Sequence, residues 1–180
     1  MRNKANIIIA CLIVFILPII ALLIPKNQQT IENAIVNSRT GDIAIVHYNY
    51  ENGGYIELFL YDVEGNLLFT KSHPSKGGSH SKLSFVGNDV HLYVSRTDIA
   101  YAYNKEGYSV ETMSSDEWKN IDSNDWIGWE TNFDSKTYIR NEYVYCYEKT
   151  PYPYSLFSSK CIVKIQNTKT GTSVVLLELE

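Results

Sequence analysis

The segment from Ser114 to Lys136, SSDEWKNIDSNDWIGWETNFDSK, contains all three tryptophans of the chain, interspersed with carboxylates. Tryptophan faces pack on flat apolar surfaces, including those of sugar rings, and carboxylates accept hydrogen bonds from hydroxyl groups. The segment is therefore a candidate surface for binding a glycan or a peptide. Its candidate contact residues are Trp118, Trp126, Trp129, Asp122 and Asp125. The alternative is that the tryptophans close one end of a β core or cover an exposed sheet edge.

Two further kinds of chemistry use the same residue types. Glycoside hydrolases need a pair of acids, and residues 116–134 contain several, although no spacing marks one pair. Asp122, Asn124 and Asp125 are oxygen ligands of the kind that calcium prefers, but the glycine and terminal glutamate of an EF-hand loop are missing. We therefore expect no metal site and no cofactor.

Cys146 and Cys161 lie on two predicted strands that flank a proline-rich loop. If the two sulfurs are cross-strand neighbours, a disulfide in an exported domain would close about fifteen residues and stabilise it by roughly 3 kcal/mol. Apolar residues alternate with both cysteines, so two buried free thiols explain the pattern equally well. The sequence leaves both alternatives open. It does not favour a catalytic cysteine, because neither strand pair contains a histidine.

The four histidines show no metal-binding spacing. His73 and His80 fall in the Ser-, Gly- and Lys-rich stretch HPSKGGSHSK, which predicts a solvated loop. His47 and His91 fall within predicted strands, where we expect half-buried surface positions.

The elements that position these residues are predicted to be short strands. From Asp42 onwards, short apolar and aromatic runs alternate with turns rich in Gly, Asn and Asp, so we expect one all-β domain over residues 42–180. Residues 113–135 have no regular period and are expected to be irregular. Residues 25–41 are polar and aperiodic, which predicts a stalk.

An internal repeat accompanies the strands. LFLYDVEGNLLF around Gly65 matches AYAYNKEGYSVE around Gly107, and KIQNTKTGTSVV around Gly171 is a looser third copy. FVGNDVHLYV and YIRNEYVYCY match before the second and third copies. The pattern resembles the degenerate blades of bacterial β-propeller-like proteins, in which a strand ending in Tyr-Asp or Tyr-Asn turns through glycine into an outer strand. The resemblance implies a partial propeller, a dimer or a twisted antiparallel meander, with open sheet edges that favour oligomerisation. It implies no activity.

Residues 7–24, IIIACLIVFILPIIALLI, are continuously apolar. At about 1.5 Å per residue this stretch makes a helix of roughly 27 Å, enough to cross the hydrocarbon core of a bilayer. It is longer than the apolar part of a cleaved signal peptide and lacks an Ala-x-Ala exit, so an uncleaved anchor is favoured. Ile8-Ile9-Ala10-Cys11 resembles a lipoprotein cleavage box, but the strongest part of the run follows Cys11.

The charges around this run predict its orientation. Arg2 and Lys4 precede it and Lys26 alone follows, so residues 1–6 should form a cytoplasmic tip and everything after Pro25 should lie outside the cell membrane. The chain as a whole carries a net charge of −4, and its first 25 residues include two basic and no acidic side chains. An exported domain this acidic is not expected to bind nucleic acid.

These observations predict a single-pass membrane protein with a non-enzymatic β domain. We expect the domain to bind a protein or cell-wall partner, or to act as an assembly scaffold. The alternative is an extracytoplasmic hydrolase that acts on glycans or peptides through the carboxylates of residues 116–134.

Overall fold

The structure, a computed structural model, describes residues 29–49, 54–75, 80–119, 126–130, 136–151 and 159–179. Over these ranges the fold is all-β, as predicted. The strands are β1 (Gln29–Asn37), β2 (Ile43–Asn49), β3 (Tyr55–Tyr61), β4 (Leu67–Pro74), β5 (Ser81–Val86), β6 (Asp89–Val94), β7 (Ile99–Tyr103), β8 (Ser109–Ser114), β9 (Trp126–Glu130), β10 (Lys136–Arg140), β11 (Tyr143–Pro151), β12 (Ser159–Asn167) and β13 (Ser173–Leu179). A short helix, α1 (Ser115–Lys119), follows β8.

The predicted anchor, residues 7–24, lies outside the described residues, as does the cytoplasmic tip. Within the described ranges, none of the helical structure has the length and apolar character that a bilayer span requires.

The strands form three antiparallel sheets. Sheet I has the order β4-β3-β2-β1-β9, sheet II the order β5-β6-β7-β8 and sheet III the order β10-β11-β12-β13. Each sheet is built from four strands that are consecutive in the chain, and sheet I gains β9 as a fifth strand beside β1. This simple up-and-down connection suits the short glycine turns that separate the strands in the sequence.

Sheet I is the central layer. Ile43 and Ile45 of β2 face the cluster shared with sheet III, whereas Ala44 and Val46, one residue out of phase, face the cluster shared with sheet II. A strand covered on both faces is expected to be continuously apolar rather than alternating. The run Ile43–Val46 meets that expectation, and it holds the three layers together.

The predicted stalk is wrong over Gln29–Asn37, which form β1. This strand pairs with β2 on one side and with β9 on the other, and Ala34, Ile35 and Val36 are fully buried. The register shifts between Ile31 and Asn33, so a bulge interrupts the alternation of apolar and polar residues. That bulge, together with the polar residues around it, hides the strand from a periodicity argument.

The three repeated glycines lie at corresponding places. Gly65 is in the β3–β4 hairpin, Gly107 in the β7–β8 hairpin and Gly171 in the β12–β13 hairpin, so each precedes the fourth strand of its four-strand meander. The spacing between the second and third copies is longer because α1 and β9 intervene. The resemblance to propeller blades itself stays a prediction.

The first hairpin of sheet I uses the same turn as the last hairpin of sheet III. The Oδ1 atom of Asn37 accepts hydrogen bonds from the backbone N–H groups of Arg39 and Thr40, at 2.9 and 3.3 Å. Asn167 does the same for Lys169 and Thr170, at 2.9 and 3.1 Å. The shared pattern Asn-x-basic-Thr-Gly therefore specifies a local turn and not a place in the sheet.

Candidate functional site

The tryptophan-rich segment is divided among several elements. Trp118 lies on α1 and stacks on Tyr93 of β6, with ring centroids 5.2 Å apart. Trp126 and Trp129 belong to β9, whose backbone pairs with β1 at Asn37 and Ala34. A strand therefore does cover the edge of β1. Asp122 and Asp125 lie outside the described residues, so the structure does not test the proposed cluster of acids.

The helix that carries Trp118 begins with a capping box. The backbone N–H and the hydroxyl of Ser114 both donate to the Glu117 carboxylate, at 2.7 and 2.8 Å, and the Glu117 N–H donates to Ser114 Oγ at 3.4 Å. These bonds hold the pKa of Glu117 below its usual value. The pattern Ser114-x-x-Glu117 is a sequence signal for a helix start that the expectation of an irregular segment overlooked.

Cys146 and Cys161 are free thiols. Cys146 is paired across the ladder with Lys164, and Cys161 with Lys149, so the two cysteines are three residues out of register and on opposite faces of sheet III. Three residues along a strand separate them by roughly 10 Å, beyond the span of a disulfide. The disulfide alternative is therefore excluded by register. Cys161 is buried and lies 3.5 Å from the hydroxyl of Tyr147, whereas Cys146 is only half-buried.

His73 is buried, with 5% of its surface exposed, and the expectation of a solvated loop histidine is wrong. It is part of β4, which continues to Pro74, and its ring lies 4.1 Å from that of Tyr101, centroid to centroid. Its Nε2 atom is 3.2 Å from the Tyr103 hydroxyl. Since both tyrosines are on β7, His73 joins sheet I to sheet II. His80, by contrast, is exposed as expected.

The His73 environment predicts a pH dependence. Burial, with a smaller contribution from the nearby Lys71 ammonium, lowers the pKa of His73 to about 4. An unfolded histidine takes up a proton near pH 6.5 and the folded one does not until about pH 4. The contribution of neutral His73 to stability is therefore complete above pH 6.5 and is lost as the pH falls towards 4.

Melting temperatures measured from pH 7 to pH 4 check this prediction. We expect His73→Phe to be less stable than the parent at pH 7, because the bond to Tyr103 is lost, but to lose less stability on acidification. Burial also lowers the pKa values of His47 and His91, so part of the acid sensitivity should persist. An unchanged pH profile in the variant would contradict the prediction.

His47 is buried rather than half-buried, and it belongs to a short polar chain across sheet I. Its Nδ1 atom lies 3.1 Å from a carboxylate oxygen of Glu57 on β3, and Ser72 on β4 donates to the other oxygen of that carboxylate at 3.4 Å. A carboxylate that orients a histidine is common in catalytic and metal sites. Here Nε2 is buried and has no hydrogen-bond partner among the described residues. A substrate cannot reach it in this conformation.

His91 is also buried, beside its cross-strand neighbour Ser84. Its Nδ1 atom and the Ser84 hydroxyl have no partners within the described part of the chain. Over the same residues, no group of three His, Cys, Asp or Glu side chains could hold a metal ion. Of the buried histidines, His47 thus contacts a neighbouring strand through Glu57 and His73 contacts a neighbouring sheet through Tyr101 and Tyr103.

A second polar cluster surrounds the turn between β1 and β2. Asn37 Nδ2 donates to the carbonyl of Gly87 at 2.8 Å, and the Lys105 ammonium lies 3.1 Å from the buried Asp42 carboxylate. From sheet III, the Tyr145 hydroxyl donates to the Gly41 carbonyl at 2.7 Å. All three sheets therefore meet at this turn, and its polar groups are engaged in holding them together.

Among the described residues, a group of well-exposed apolar side chains lies at the start of β8. Tyr108 and Val110 are 72% and 56% exposed, and Ser109, Glu111 and Thr112 beside them are exposed as well. We call residues 108–112 the β8 surface. In the described structure β8 pairs only with β7, so its outer edge has open backbone donors and acceptors. Such an edge with apolar side chains is suited to binding another chain.

Nothing in the sequence marked the β8 surface, because its composition is that of any strand. What distinguishes it is that no other described element covers it, which is a property of the assembled sheets.

Comparisons of this chain with protein-family models, with curated proteins and with solved structures found no match.

Proposed function

We propose that the chain is a single-pass membrane protein whose β domain lies outside the cytoplasm and binds another protein without catalysing a reaction. The apolar run of residues 7–24 and the basic residues before it support the anchor and its orientation. The observation that carries the binding role is the β8 surface.

The chemistry of that surface favours a protein partner. Tyr108 and Val110 offer apolar area and Glu111 adds a charge at its margin, which is the composition of a small protein-binding patch. The acidic net charge of the chain disfavours nucleic acid as the partner. The buried side chains of Asn37, Asp42 and His73, by comparison, are already paired with groups of neighbouring strands or sheets.

Site-specific cross-linking in native membranes tests the binding role. A photo-reactive amino acid in place of Ser109 should yield adducts that mass spectrometry can map. Val110→Asp in the same chain should reduce them about tenfold, equivalent to about 1.4 kcal/mol of binding, because a charge then occupies the centre of the patch. Leu67→Asp is the matched control, since Leu67 is 52% exposed on β4 and should leave the adducts unchanged.

Two results would refute the proposal. Adducts that are insensitive to Val110→Asp would show that the β8 surface is not the binding site. Recovery of the full-length chain from the soluble fraction would show that residues 7–24 do not anchor it in a membrane. Turnover of cell-wall fragments by the purified chain, abolished by Asp122→Asn or Asp125→Asn, would instead favour the hydrolase alternative.

A further inference from the structure

Two of the three glycine hairpins pack against the fourth strand of a neighbouring sheet. A Cβ atom on Gly107, in sheet II, would lie 2.9 Å from Cβ of Phe69 on β4. A Cβ atom on Gly65, in sheet I, would lie 2.9 Å from Val174 and 3.2 Å from Leu176 on β13. The same kind of contact therefore joins sheet II to sheet I and sheet I to sheet III.

These contacts between hairpins and fourth strands link the sheets in the order II, I, III, and neither end of that order has a further contact among the described residues. Gly171, in the hairpin of sheet III, has the same left-handed conformation, with φ of +75°, but no atom of the described residues lies within 4 Å of the position its Cβ would take. At the other end, no hairpin within the described residues packs against β8, the fourth strand of sheet II. Among the described residues, the sheet III hairpin therefore packs against no fourth strand, and β8 has no hairpin packed against it.

A comparison of the three fourth strands indicates that, among the described residues, no hairpin packs against β8. Each has one extra residue at a register shift, and the three residues at these shifts are Leu68, Val110 and Leu176. Leu68 packs against the cluster between sheets I and II, and Leu176 is 8% exposed in the cluster between sheets I and III. Val110 is 56% exposed. The residue at the register shift is thus covered by a neighbouring sheet in sheets I and III, whereas Val110, its equivalent in sheet II, is exposed.

We propose that a second copy of this chain supplies the missing contact: the hairpin Asn167–Thr172 of one copy packs against the β8 surface of another. This inference rests on the proposed function and identifies the partner. Charge supports it, because Lys169 is exposed on the hairpin and Glu111 is exposed on β8. The chain already uses such a pair, since Lys105 of the sheet II hairpin reaches Asp42 of sheet I.

The contact joins two different surfaces of the chain. A reciprocal exchange of hairpins between two copies gives a closed, isologous dimer, whereas a one-way contact is heterologous and continues into a ring or a filament. Either arrangement covers Val110, as Leu68 is partly and Leu176 fully covered within one copy.

Sedimentation of the full-length chain in detergent micelles tests the inference. It measures the mass of the protein over a range of concentrations. We expect the parent chain and Leu67→Asp to associate to the same extent and Val110→Asp to associate at least tenfold more weakly. Gly171→Ala is a second variant on the opposite surface, and it should weaken association as well. Circular dichroism of each variant verifies that it is folded.

Cross-linking between differently tagged copies tests the geometry. One copy carries Lys169→Cys, the other Val110→Cys, and a short bis-maleimide joins them. The mixed adduct should exceed tenfold the adduct formed when Leu67→Cys replaces Val110→Cys. Parent copies mixed in the same way measure the background from Cys11, Cys146 and Cys161.

The outcomes separate this inference from the proposed function. A chain that stays monomeric, while its Ser109 adducts with other proteins still depend on Val110, overturns self-association and leaves the binding role intact. Association that neither variant weakens, or that yields no mixed adduct above the control, overturns the hairpin contact. A monomeric chain without Val110-dependent adducts overturns both.

Discussion

Asn37→Ala should lower the free energy of unfolding by about 2–4 kcal/mol, because three hydrogen bonds are lost at a fully buried position. Two of these bonds hold the turn between β1 and β2, and the third, from Nδ2 to the Gly87 carbonyl, joins sheet I to sheet II. The loss leaves the partly buried Gly87 carbonyl and two N–H groups without the partners they have in the parent. Thermal or chemical unfolding followed by tryptophan fluorescence measures the change.

Asn167 provides the matched control for Asn37. It makes the same two bonds in a turn of the same sequence type, but its turn is largely exposed. Asn167→Ala should therefore cost only about 1 kcal/mol, since water replaces the lost partners. Equal losses in the two variants would show that the contact with Gly87 adds nothing to stability.

Gly107→Ala is expected to be the other strongly destabilising change. The φ of +79° is strained for alanine, at a cost of roughly 1–2 kcal/mol, and the new methyl group would lie 2.9 Å from Phe69. Displacing that ring should add about 1–3 kcal/mol. Differential scanning calorimetry of the purified chain measures the total effect as a fall in melting temperature.

Gly171→Ala separates the cost of backbone strain from the cost of displacing a neighbouring side chain. Its φ of +75° is nearly the same, but the added methyl group lies within 4 Å of no described atom of the same copy. Measured on dilute chain, it should show the backbone cost alone. If Gly171→Ala is as damaging as Gly107→Ala, the packing of the sheet II hairpin on Phe69 does not contribute to stability.

Several strands could be predicted from sequence because their signals are local. The apolar and aromatic runs at residues 55–61, 99–103 and 173–179 form β3, β7 and β13. The polar pair Arg140-Asn141 interrupts the next aromatic run and separates β10 from β11, where Asn141 has a φ of +52°. Alternation of side chains and turn residues with left-handed conformations act over a few residues, so they can be read along the chain.

The elements that were not predicted are those whose partners are distant in sequence. The β1 strand has a bulge and polar residues, and its burial depends on β2, β9 and the Gly87 turn. The β9 strand lies in a stretch expected to be irregular and is defined by its pairing with β1. Pairing over such separations depends on register, which no local pattern in these segments reports.

The same distinction applies to the candidate site residues. Trp118 could be recognised by type, but its stacking on Tyr93 joins two elements whose relation depends on the sheet. Cys146 and Cys161 could be assigned to strands, but a register offset of three residues decided that they do not meet. His73 looked like a loop residue because Ser, Gly and Lys follow it, whereas the tyrosines of β7 bury it.

By itself, then, the sequence determined the all-β class, most of the hairpins and the conformation of the glycine turns, because these follow from interactions between near neighbours. Only the tertiary structure decided which faces are covered: it buried Asn37 and His73, kept the two thiols apart and left Val110 exposed. Burial is a relation between sheets that are distant along the chain. A strand's own residues therefore do not reveal whether a neighbour will cover it.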